Sequence, residues 1–400
     1  GLGPAPVHIA CTNAAVARWQ TRPSGLAGAV ARDGMTETVL IAARRSPIAP
    51  RNGALSHLQP HQLAAPVIKA ALADCGLSPN QVDELILSNA LGAGGNPARI
   101  AALAAGLPER VAGLSIDRQC AGGLDAVILA DALVKSGQHQ IVIAGGVESY
   151  SRRPVRARTF RDGRDPVPYD QAPFTPWPQR DPEMAVAADK LALSLGIDQE
   201  AQDAWAINSH SKAQNAATDL GIVSMEGLSS DPFTRNLTPR HCDRAKRVSG
   251  TVTAANMAVA ADAAAVAIVT SRQVANSLNL DGIQIIGGQT IGGDPEMPGL
   301  APVAAIQALL QRASLTPHDI QTAEIMEAFA VQAIACWRGA DLPEKIVNRD
   351  GGALARGHPI GASGAILAVH LFHQLCRAPG NGLAAIAAAG GLGTALLLRG

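Results

Sequence analysis

Residues 68–79, IKAALADCGLSP, return as residues 306–317, IQALLQRASLTP. Ile68, Ala70, Leu72, Leu77 and Pro79 fall on Ile306, Ala308, Leu310, Leu315 and Pro317 at a constant offset, 77 to 315, of 238 residues. A helix closed by Leu-Ser/Thr-Pro therefore occurs twice. The same offset carries residues 127–130, VILA, onto 365–368, AILA, and Cys120 onto His358. After a short insertion near Ala378-Pro379-Gly380, the run IVIAGGVES at 141–149 finds its partner in AAIAAAGGLG at 384–393. Self-similarity of this kind outranks any single motif. The chain is two similar halves, each placing a reactive side chain at the same structural point.

Each half reads as α/β. Apolar runs such as VLIAA, ELILSNA, IVIAGG, AVAIVTS, IQIIGG and AAIAAAGG alternate with longer helical stretches. Runs this apolar suit central strands covered by helices on both faces. Residues 151–249 differ. SRRPVRARTFRDGRDPVPYDQAPFTPWPQRDPE is rich in Pro, Arg and Asp and has no clear period, and helices near 184–195 and 199–216 follow it. This reads as a loop domain inserted into the first half. The expected division is 35–150 with about 250–277 as the N-terminal half, 151–249 as the insert, and 278–400 as the C-terminal half. No methionine precedes Met35, and residues 1–34 carry Arg18, Arg22 and Arg32 against one acid, Asp33. They read as a leader, a cloning extension or an over-extended reading frame, outside the fold.

Composition closes off several classes. The 33 basic and 33 acidic residues balance, and aromatics are 3%, so neither a polyanion footprint nor a base-stacking surface is present. No apolar run approaches the ~18 residues of a membrane helix. No nucleic-acid or membrane partner is expected. The six cysteines form no CxxC pair, and no His/Cys/Asp cluster has metal-ligand spacing, so no metal is expected. Reduced thiols fit a cytoplasmic enzyme. Neither a GxGxxG nor a GxxxxGK loop follows a strand, so no nicotinamide or ATP cofactor is indicated.

The chemistry sits at strand ends. In SIDRQCAGGL, 115–124, a short strand ends, a tight turn follows, and a helix starts near Gly122 with Cys120 at its N-terminus. The helix dipole there is expected to lower the thiol pKa and make it reactive near neutral pH. Cys120 should then alkylate faster than the other five cysteines. In NRDGGALARGHPIGASG, 348–364, five glycines in seventeen residues surround His358. A Cys and a His at matched repeat positions supply a nucleophile–base pair for acyl transfer. The turn at Gly390-Gly391 offers amides for an oxyanion. Arg152, Arg153 and Arg156 begin a basic run that either meets coenzyme phosphates or is a solvated loop. Phe174 and Trp177 either line a tunnel or anchor the loop.

These motifs resemble the thiolase family. They are DRQCAGGLDAVILA, VIAGGVESYS, GTVTAANM, EIMEAFAVQA, NRDGGALARGHPIGASGA and AAGGLG, in family order across Met35–Gly400. The resemblance implies a five-layered αβαβα fold and a cysteine that becomes acylated, activated by the histidine. It also implies a coenzyme A thioester as substrate rather than a permanently bound cofactor, with its site partly on the insert, and assembly as homodimers or homotetramers. Three positions depart from the family pattern. Met326 stands where the family has an asparagine that holds an oxyanion-stabilising water, next to the family's own glutamate, Glu327. Ala387 stands where the family has a second, acid/base cysteine, and Ala258 replaces a coenzyme-facing serine. Cys336, ten residues beyond Met326, reads as core rather than a substitute. Acylation looks intact and ordinary α-proton abstraction looks damaged. The other class open to the sequence is a catalytically reduced homologue that binds acyl-CoA or serves as a structural partner subunit.

Overall fold

A computed structural model describes residues 36–92, 94–216 and 220–400. The expectation for residues 1–34 lies outside the described residues. Residues 36–400 form one compact unit. The main strands are β1 (Thr38–Arg45), β2 (Glu84–Ser88), β3 (Leu114–Ile116), β4 (Ile141–Ser149), β5 (Ala261–Ser271), β6 (Ile283–Gly292), β7 (Thr322–Ile325), β8 (Asn381–Ala388) and β9 (Leu392–Arg399). The helices that matter are α1 (Pro60–Asp74), α2 (Pro97–Ala104), α3 (Gly122–Lys135), α4 (Met184–Leu195), α5 (Gln199–Asn215), α6 (Ala301–Arg312), α7 (Ala330–Gly339) and α8 (Ile360–Arg377).

The strand order is β7-β8-β9-β6-β1-β5-β4-β2-β3. Its centre is a seam where β1 meets β6 through only Val39/Gln284 and Leu40/Ile283. Moving outward from the seam, the first half pairs β1-β5 and β5-β4 antiparallel and β4-β2 parallel. The second half repeats the pattern: β6-β9 and β9-β8 antiparallel, β8-β7 parallel. The repeat in the sequence is thus a repeat of topology. β4 and most of β5 are buried throughout, which explains why they carry no polar alternation.

Five layers result. α1 and α2 cover the outer face of the first half-sheet, and α6 and α7 that of the second. α3 and α8 form the shared middle layer, and three apolar clusters fill the spaces. The middle helices cross where side chains are absent. A Cβ on Gly123 would stand 2.3 Å from the Ala365 nitrogen, and one on Gly364 would stand 2.5 Å from the Leu124 nitrogen. Backbone packs on backbone there, so the N-terminal ends of both helices converge. Residues between β4 and β5 supply α4, α5 and two small two-stranded ribbons. Asp231 of this segment is clamped by Arg45 of β1 at 2.8 Å and by Arg356 at 3.0 Å, which fixes the turn before His358. Burial alone would raise the Asp231 carboxyl; the two guanidiniums and the Ile48 amide override it and hold it low. Among the described residues no helix is long and apolar enough to cross a membrane.

Candidate active site

The approach to Cys120 is a strained turn. Gln119 adopts φ +49°, and its amide donates to Asp117 Oδ1 at 2.7 Å. The chain then enters α3 with Ala121 as N-cap, which leaves Cys120 one residue outside the helix. On the other half, Gly357 at φ +120° lets the backbone run against β5, where an added Cβ would stand 2.8 Å from Ala261 Cβ. The next residue, His358, donates its amide to Val259 O at 2.7 Å.

The two side chains meet: Cys120 Sγ lies 3.2 Å from His358 Nε2. The tautomer follows from the other ring nitrogen. Ser363 sits in the first turn of α8 and donates its single hydroxyl proton to Pro359 O at 3.2 Å. Its oxygen also lies 2.6 Å from His358 Nδ1, and with the hydroxyl proton on Pro359 O it accepts from that nitrogen. In that tautomer Nε2 presents a lone pair to the thiol. Ser363 was not singled out from the sequence, although it lies within the histidine block; an i, i+4 serine after Pro359 is the signal that points to it.

The charge state differs from the sequence expectation. Burial pushes the Cys120 thiol up to about 12; its own backbone amide offsets little of this, and Glu148 and Asp117 add to it. Burial also pushes His358 down to about 4. The helix-end effect loses to desolvation because Cys120 precedes the helix and is half-buried between the two halves, with only its cavity side open. At neutral pH the resting pair is thiol and neutral imidazole. Alkylation of Cys120 by iodoacetamide, followed by peptide mass mapping, is expected to climb with pH well above neutrality. A plateau reached by pH 7 would contradict this reading.

Glu148, the last acid of VIAGGVES, is a second residue the sequence reading passed over. It is buried at the end of β4 and accepts from Asn89 Nδ2 (2.9 Å), Ala90 N (3.0 Å), Leu91 N (3.3 Å) and Gly361 N (2.9 Å). Burial raises its carboxyl to about 7 against those backbone donors. It ties the first half to the first turn of α8. An acid ending an otherwise apolar strand was its visible signal.

The pair opens into a cavity of about 490 Å³. Its wall includes Leu91, Tyr150, Phe174, Met257, Ala258, Ala328, Phe329, Ile360 and Ala387–Ala389. Of the arginines, Arg156 reaches the wall and donates to Asp170 O, while Arg152 and Arg153 do not line it. Arg153 is engaged by Asp170 at 2.8 Å and Tyr150 O at 3.2 Å. Phe174 lines the cavity; Trp177 does not and is half exposed.

Four expected positions are placed elsewhere than the sequence suggested. Gly390 and Gly391, at φ +82° and +80°, make the hairpin turn behind the cavity, and Gly391 O accepts from Gly293 N; the residues on the wall are Ala387–Ala389. Met326 is buried in the middle-layer apolar cluster and does not touch the cavity, because the residue after β7 turns inward. Glu327 is buried away from the wall and is held by Trp205 Nε1 (3.0 Å), Ser209 Oγ (2.7 Å), Asn348 Nδ2 (2.8 Å) and Leu354 N (3.1 Å). Four donors on two oxygens make it an anchor between the insert and the histidine loop, not a proton carrier. Ala258 is on the wall, with its amide donating to Ala328 O at 3.0 Å.

Known proteins resemble the chain over the same span. Residues 38–273 match the family described as Thiolase, N-terminal domain, and residues 282–400 that described as Thiolase, C-terminal domain. The chain is 40% identical over 375 residues to "Putative acetyl-CoA C-acetyltransferase YhfS" of Bacillus subtilis, covering 90% of this chain and 98% of that protein. Two solved structures have TM-scores of 0.85. The Bacillus anthracis acetyl-CoA acetyltransferase is 34% identical and covers 92% of this chain and 99% of its own. Human mitochondrial 3-ketoacyl-CoA thiolase in complex with CoA is 30% identical and covers 91% and 98%.

Proposed function

The chain belongs to the thiolase family of acyltransferases, and on that premise we propose that it takes the acyl group of a coenzyme A thioester onto Cys120. The observation that carries this is the 3.2 Å contact between Cys120 Sγ and His358 Nε2. As Sγ attacks the thioester carbonyl carbon, its proton passes to Nε2. The carbon–sulfur bond to coenzyme A then breaks, and the imidazolium returns the proton to the leaving thiolate. A neutral resting pair suits this step, since the proton moves only as the new bond forms. The same reading includes cytoplasmic location and self-association as a dimer or tetramer.

The second half-reaction has less support. At Ala387 the wall carries a methyl group where proton abstraction from an acyl α-carbon needs a base. We therefore assign the protein to acylation first, with transfer to water, to another acceptor, or to one activated by loss of carbon dioxide. A role as a non-catalytic partner subunit is disfavoured, because such a protein has no use for a thiol and an imidazole aligned in one cavity. The test is incubation with a panel of acyl-CoAs followed by intact-mass spectrometry on wild type and Cys120→Ala. A mass increase equal to one acyl group is expected on wild type only. No adduct with any acyl-CoA would overturn the reading.

A further inference from the structure

Gln332, on the first turns of α7, lines the cavity and is 3% exposed. Among the described residues, neither its Nε2 nor its Oε1 has a hydrogen-bond partner. Around it the wall is apolar: Leu191, Pro298, Gly299 and Phe329 all belong to it. A Cβ on Gly299 would stand 3.3 Å from Gln332 Cγ, so the stem is held close against that backbone. The exposed acids of the cavity, Asp170 and Glu183, lie toward solvent, and Gln332 is set back in the closed wall.

Leaving a buried amide unpaired is costly, because the group gives up its water without gaining a partner. A site that keeps one within an apolar wall has a use for it when the cavity fills. The amide offers one kind of donor and one acceptor side by side, and a hydroxyl is the small group that answers both. Charged nucleotide belongs at the open mouth and the thioester belongs at Cys120. What reaches a buried wall is the chain attached to the thioester. We propose that Gln332 recognises acyl chains carrying a hydroxyl beyond the thioester, so that the cavity prefers hydroxyacyl to plain alkyl thioesters of equal length. This rests on the acyl-CoA reading above. The pantetheine arm also carries amides that Gln332 would fit, and the test separates the two sources.

The probes are coenzyme A, S-alkyl-CoA thioethers and S-(ω-hydroxyalkyl)-CoA thioethers in a series of increasing length, none of which can acylate Cys120. Affinities are measured by calorimetry on full-length wild type and on Gln332→Met. For at least one chain length, wild type is expected to bind the hydroxylated thioether about 10–100-fold more tightly than its alkyl match. Gln332→Met should bring that ratio to about one without weakening the alkyl series. Equal binding of both series by wild type at every length overturns the proposal, whether or not the variant folds. A variant that keeps the ratio overturns it too. Equal weakening of coenzyme A itself assigns the amide to pantetheine and also overturns it. If wild type acylates Cys120 in the mass assay but shows no hydroxyl preference, only this proposal fails. If it neither binds any thioether nor acquires an adduct, the acyl-CoA reading fails with it.

Discussion

His358→Asn is expected to slow acylation of Cys120 by about 10²–10⁴-fold. The substituted amide cannot accept the thiol proton at the position of Nε2, 3.2 Å from Sγ. Burial holds the thiol near 12, so without a base almost no thiolate is present at neutral pH. The loss should appear in the rate of adduct formation with saturating acyl-CoA, followed by quenched-flow mass spectrometry. It should shrink as pH is raised, because hydroxide then does what the imidazole did. A variant that acylates within threefold of wild type at pH 7 would show that the proton leaves by another route. Ser363 offers none, as its hydroxyl contacts Pro359 O and the Nδ1 side of the ring.

Wild-type protein is expected to cleave acetoacetyl-CoA at a rate about 10²–10⁴-fold below the ~10 per second of a median enzyme. On the reading proposed above, the cause is Ala387, which lines the cavity and has no titratable group. Ala387→Cys should raise thiolytic cleavage by at least tenfold while leaving the acylation rate near its starting value. The assay pairs loss of acetoacetyl-CoA absorbance with adduct formation. Adding Met326→Asn brings no further gain, because that side chain is packed among apolar neighbours rather than facing the cavity. Its amide would be buried there, at a cost of about 1–3 kcal/mol if left unpaired. Wild-type turnover near 10 per second would mean that a proton carrier already exists. Glu327 is a poor one, with Trp205, Ser209, Asn348 and Leu354 all bonded to its oxygens.

The repeat was the most legible feature of the chain. A constant offset along the sequence becomes a constant relation in space, so the Cys120–His358 match needed no structure to find. The start of α3 at Gly122 and the bounds of α4 were equally readable, because local periodicity sets them. Side-chain direction at strand ends was not. Met326 and the Ala387–Ala389 segment lie in blocks that read alike, yet one turns into the core and the other onto the wall. The thiol's charge state was misread for a related reason. A helix end is visible in sequence, whereas the desolvation that outweighs it comes from burying two distant segments together. Glu148 and Gln332 were hidden in the same way, since their partners, or lack of them, are set by tertiary packing.

Close by the crossing at Gly123 and Gly364, the matched positions 120 and 358 of the two halves come face to face. If a single half associated with a copy of itself about that axis, any residue at the matched position would meet its own twin. Such a dimer could set thiol against thiol or imidazole against imidazole, but never one against the other. Joining the halves in one polypeptide frees the two positions to differ. The reactive pair is therefore a product of broken symmetry: near-identical scaffolds supply the meeting point, and one difference in side chain across it supplies the chemistry.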